Sequence, residues 1–153
     1  MTSQQSTGFE RGTDGPKVIL AGVDGSESSL RAAAYAAGLA RRQNALLAVV
    51  YVQPVLAGGA ALGAPVAETT AEIAQGLAEE IRESAERLKG LFEVRWEFHT
   101  FRGDPYGGLV SAAEELKADA VVVGASERAG HRLVGSVAVR LVKAGRWPVT
   151  VVP

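Results

Sequence analysis

Between Val18 and Val152 the chain alternates short strand-like runs with stretches of helical periodicity, and this alternation constrains the fold more than any other feature. The runs are Val18–Val23, Leu46–Val52, Glu93–Phe101, Ala118–Val123 and Pro148–Val152. Between them lie the alanine-rich stretch Glu27–Arg42, the long stretch Glu68–Lys89, a segment opening at Asp104-Pro105, and Ser136–Lys143. Strictly alternating strands and helices predict a parallel sheet with right-handed crossovers and helices on both faces. The fold class read from the pattern is therefore α/β, a doubly wound, Rossmann-like three-layer sandwich. Continuous apolar runs suit strands covered on both faces. The third run differs: Val94, Trp96 and Phe98 alternate with Arg95, Glu97 and His99, as on an edge strand with one solvated face.

Local signals set the boundaries. Asp24-Gly25-Ser26 is a turn that can cap the first helix, and Arg41 and Arg42 complement the dipole in its last turn. Ile73, Leu77, Ile81, Ala85 and Leu88 recur at helical spacing and predict a buried stripe on the second helix, with Glu83 and Arg87 paired on its exposed side. Leu109, Val110, Ala113 and Leu116 line the third helix, and Gly145 stops the fourth. Pro54 to Pro65 reads as a long apolar loop, either a functional lid or disordered. Residues 1–16 are polar and without periodicity, which predicts a disordered tail ahead of one domain over 17–153.

Composition removes several functions. A net charge of −1 argues against a nucleic-acid binder. The chain has no cysteine, and its only histidines, His99 and His131, are far apart, so thiolate and multi-histidine metal sites are excluded. No secretory signal and no membrane-spanning run is visible, so a cytoplasmic protein is expected.

In a doubly wound sheet, ligands bind beyond the carboxyl ends of the strands, where strand order reverses. If the first and fourth strands are neighbours, Asp24-Gly25-Ser26 faces the stretch Gly124 to Ser136 across that crevice. A carboxylate at Asp24 can take donors from a ribose or a base. Backbone amides of Gly135, Ser136 and Val137 at a helix N-terminus can take phosphate. No dinucleotide fingerprint is present. Gly130 to Gly135 has the glycine spacing of a P-loop but lacks its lysine and does not directly follow the strand.

The set of residues resembles the universal stress protein family over nearly all of Lys17 to Pro153. It comprises Asp24-Gly25-Ser26 with Ser28, Ser29 and Ala33; Gly103 and Pro105; Asp119 to Gly124; Gly135-Ser136-Val137; and Pro148 to Val152. No single piece is specific, whereas the ordered set is. The resemblance implies an adenine nucleotide alpha hydrolase-like fold of five strands in order 3-2-1-4-5. It also implies a homodimer, often through antiparallel pairing of the last strand. Many members of the family bind ATP and others do not. ATP-binding members resemble G-x2-G-x9-G-[S/T]. Here Gly124 and Gly135-Ser136 match the ends, Glu127 replaces the second glycine, and the loop is two residues shorter. A side chain at Glu127 hinders close backbone approach to phosphate, and its charge repels polyphosphate. Arg128, His131 and Arg132 are placed to offset that charge. The expectation is a dimeric stress-response binding module whose crevice takes an adenine nucleotide in a modified mode or none.

Each site residue also has a purely structural reading. Asp24 caps a helix, Gly124 makes a tight turn, Ser136 is an N-cap, and Arg128 and Arg132 are solvated loop charges. Tyr51 is either a border for adenine or a core residue. Trp147, beside Arg146, is expected in or near the dimer contact. Two alternatives stay open: a slow ATPase using the same crevice, and a purely structural dimer.

Overall fold

The computed structural model describes residues 15–55, 63–91, 93–125 and 135–153, with the backbone alone for 63–69. The elements run β1 (Val18–Val23), α1 (Glu27–Gln43), β2 (Leu46–Gln53), α2 (Gly63–Leu88), β3 (Arg95–Arg102), α3 (Pro105–Glu115), β4 (Ala120–Gly124), α4 (Ser136–Ala144) and β5 (Val149–Val152). The five strands pair in parallel in the order β3-β2-β1-β4-β5. The chain thus winds outward from β1 to β3 and then restarts on the other side of β1.

The strands' side chains divide into two cores because successive residues point to opposite faces. Ile19, Ala21, Leu47, Val49 and Val122 meet α1 and α2. Leu20, Val50, Val121 and Val123 meet Leu109, Ala112 and Leu141 of α3 and α4. Central strands covered on both sides account for the continuous apolar runs. Half-buried Trp147 packs on the second core of its own chain, with the Arg146 guanidinium 4.6 Å from the ring centre.

β1 and β4 are fastened at their first residues. The Asp119 Oδ2 atom accepts hydrogen bonds from the amides of Lys17 at 2.8 Å and Val18 at 2.9 Å. α3 opens as expected: Asp104 is its N-cap, accepting from the Gly107 amide, and Pro105 occupies the first turn.

Several boundaries move. α2 begins at Gly63 rather than Glu68, because a proline in the first turn lacks only an amide that would have had no intrahelical partner. Pro65 therefore lies inside the helix. Residues 56–62 of the expected loop lie outside the described residues, as do residues 1–14 of the expected tail. The α2 stripe is deeply buried only at its middle: Leu77 is 5% exposed, while Ile73 is 42% and Leu88 46% exposed. Arg87 donates to the Ser84 hydroxyl instead of pairing with Glu83. β4 starts at Ala120 because left-handed Lys117 turns the chain and the Ala118 amide still closes α3 on Ala113. β3 spans Arg95–Arg102 at the sheet edge, and His99 is half-buried there, paired to Glu97 at 2.8 Å.

Candidate functional site

β1 pairs with both β2 and β4, so strand order reverses between β1 and β4. The carboxyl ends of those strands form the floor of the crevice. Asp24-Gly25-Ser26 leaves β1 on one side. Gly124 and Ala125 end β4 on the other, and α4 starts at Ser136.

The β1–α1 turn is held by its own polar groups. The Ser26 amide donates to Asp24 Oδ1 at 2.9 Å, and the Asp24 amide donates to the Ser29 hydroxyl at 3.2 Å. Ser26 is the N-cap of α1, its hydroxyl accepting from the Ser29 amide at 3.2 Å. The helix cap expected of Asp24 or Ser26 thus falls to Ser26. Asp24 braces the turn and keeps an exposed carboxylate. Desolvation at the strand end pushes that carboxyl up. Hydrogen bonds from Ser26, with help from Ser29, outweigh it and leave the carboxyl below its ordinary value. Gly25 has φ +89°, a left-handed conformation that favours glycine, and it lies beneath Leu77 of α2.

Tyr51 pairs with Val23 across the two strands and is 5% exposed within the α1–α2 core. Burial raises its phenol, and the negative charge of Asp24 raises it further. Tyr51 is thus a core residue, and it senses Asp24 electrostatically.

Gly124 has a role that neither sequence reading contained. A β-carbon there would stand 2.5 Å from the Ser28 carbonyl carbon and 2.6 Å from the Ser29 nitrogen. The end of β4 lies directly against the first turn of α1, and only glycine leaves room. Beside it the buried Ser28 hydroxyl donates to the Ala125 carbonyl. Ser28 ties the two sides of the crevice together, whereas Ser29 bonds within its own turn. The sequence carried them as parts of a pattern, with no signal for a contact 97 residues away.

α4 begins differently from α1. Its N-cap is Gly135, with φ −59° and ψ 153°, and no side chain caps it. Ser136 is the first helical residue, not the N-cap expected of it, and no acidic residue occupies the first turn. The dipole's positive end is therefore not neutralised by its own helix. Ser136 is exposed and Val137 half-buried. Arg128, Arg132, Glu127 and His131 lie outside the described residues. The described residues contain no group of three or more potential metal ligands. Among them no helix is long and apolar enough to cross a membrane.

Comparison with known proteins gives one answer. The model of the universal stress protein family matches residues 16–153. Universal stress protein MJ0531 of Methanocaldococcus jannaschii is 34% identical over 142 residues, 89% of this chain and 81% of that protein. Universal stress protein UspA from Lactobacillus plantarum superposes with a TM-score of 0.78 at 23% identity, over 90% of this chain and 97% of the other. A universal stress protein in complex with cAMP superposes with a TM-score of 0.70 at 26% identity, again over 90% and 97%.

Proposed function

Because this chain belongs to the universal stress protein family, we propose that its crevice binds an adenine nucleotide and that the protein works as a homodimeric binding module of a stress response. The observation that carries the proposal is the uncapped N-terminus of α4 opposite Asp24, across the point where strand order reverses. A phosphate there accepts hydrogen bonds from free amides at the positive end of a helix. The cAMP complex of a structural relative supports the adenine class.

In this reading Asp24, with Gly25, receives donors from the ribose or the base. Gly135, Ser136 and Val137 take phosphate, and Gly124 lets the end of β4 lie against α1 at the floor of the crevice. Arg128 and Arg132 supply positive charge against Glu127. The dimer forms along β5, which is a sheet edge with one partner strand. A module of this kind belongs where adenine nucleotides are, in the cytoplasm.

Calorimetric titration of the purified protein with ATP, AMP and cAMP, with and without magnesium, tests the reading. Saturable binding that Asp24→Ala weakens by about tenfold supports it. Absence of heat and of thermal shift with all three ligands overturns it. Magnesium-dependent phosphate release that Asp24→Ala abolishes would make the protein a slow ATPase instead.

A further inference from the structure

The two helices over the other half of the sheet do not close on each other. Between α1, α2 and the starts of β2 and β3 lies an open cavity of about 700 Å³, within the range of small-molecule pockets. Its walls include Leu30, Leu47, Ile81, Val94 and Trp96. The space exists because α1 presents Ala33, Ala37 and Ala40 and α2 presents Ala85, all too short to interlock. On the opposite face α3 and α4 touch directly.

The rim settles which guest fits. It carries Arg41, Lys89 and Arg95 against Glu80, Glu86 and Glu93, so the charges balance. Lys89 lies 3.8 Å from Glu86, and Arg95 donates to the Asn44 carbonyl at 3.0 Å. Arg41 has an interaction of its own. These cations are engaged, and the C-terminal ends of α1 and α2 at the same rim repel an anionic head group. Apolar walls with a neutral rim select an uncharged guest, and the half-buried indole of Trp96 suits an aromatic one.

We propose that the α1–α2 cavity is a binding site for a small uncharged apolar molecule, separate from the crevice at the strands' carboxyl ends. The site does not depend on the nucleotide reading. The test uses the full chain with Trp147→Phe, which leaves Trp96 as the only tryptophan. Neutral N-phenyl-1-naphthylamine is titrated while Trp96 emission is followed, and the sulfonated analogue 8-anilinonaphthalene-1-sulfonate is titrated in parallel. Saturable quenching is expected, with the neutral probe binding about tenfold tighter than the anionic one. Ala37→Phe and Ala85→Phe, which fill the space from either helix, should each abolish binding without lowering the thermal midpoint. The proposal is overturned by absent quenching, by equal affinity for the two probes, or by unchanged binding in both filled variants. Binding that fades as protein concentration rises also overturns it, in favour of a second copy of the chain as occupant.

Discussion

α1 and α4 both aim their first turns at the crevice, and they are finished in opposite ways. α1 is closed: Ser26 caps it, Asp24 and Ser29 lock the preceding turn, and Glu27 adds negative charge to the first turn. α4 starts at Gly135 with no side-chain cap and no acid. A helix start whose donors are met by its own side chains holds the fold together and has little left for a ligand. A start without such groups is less stable alone and keeps amides for an anion. In the proposed reading, structure falls to one side of the crevice and binding to the other.

The largest effect should come from the contact joining the two sides. Gly124→Ala places a methyl group against the backbone of Ser28 and Ser29. We expect a loss of about 2–3 kcal/mol in denaturant unfolding, in the range of overpacked cores. A loss below about 0.5 kcal/mol, the usual scale of surface changes, would mean that the two elements separate freely.

Ser26→Ala should destabilise by about 1 kcal/mol, whereas Ser136→Ala should change stability by only a few tenths. Equal costs in urea titrations would erase the distinction between the two helix starts.

Gly135→Ser sharpens it from the other side. The backbone at Gly135 is extended and accepts any residue, so the serine can cap α4 and add a few tenths of a kcal/mol. The same hydroxyl occupies an amide needed by phosphate, so nucleotide affinity should fall several-fold as the melting temperature rises. Both quantities rising together would contradict the assignment.

The smallest effect is electrostatic. The folded Asp24 carboxyl lies below its ordinary value, so its contribution to stability is present above the unfolded value of 3.8 and is lost as pH falls through the folded one. Asp24→Asn should therefore flatten the acid limb of the stability profile below about pH 4. It should also lower the titration midpoint of Tyr51, since it removes a charge that raises the phenol. An unchanged absorbance titration of the tyrosines would break the Asp24–Tyr51 link.

Much of the architecture was legible because it rests on local pattern. Apolar runs marked the central strands, Asp104-Pro105 marked the start of α3, and Gly145, left-handed at φ 63°, marked the end of α4. The start of α2 was obscured by Pro65, which reads as a loop boundary and sits instead in a first turn. The candidate site was legible in outline, since Asp24 and Gly124 follow from the ends of β1 and β4. The serine that caps was not. Three serines lie within four residues of one another, and only coordinates distinguish Ser26 at the cap from Ser28 reaching to Ala125. The glycine requirement at Gly124 was equally hidden, because it comes from a distant backbone and not from any turn.

The carboxylate of Asp119 has a mechanical consequence. It pins β1 to β4 at the end remote from the crevice, while Gly124 and Ser28 press β4 against α1 at the near end. A pair of strands fastened at both ends resists splaying. The width of the gap between them is then a fixed gauge rather than an adjustable one. An occupant must be accommodated by whatever borders the floor, such as the turn of Gly25 beneath Leu77 or the first residues of α4, and the floor itself serves as the rigid reference against which those parts move.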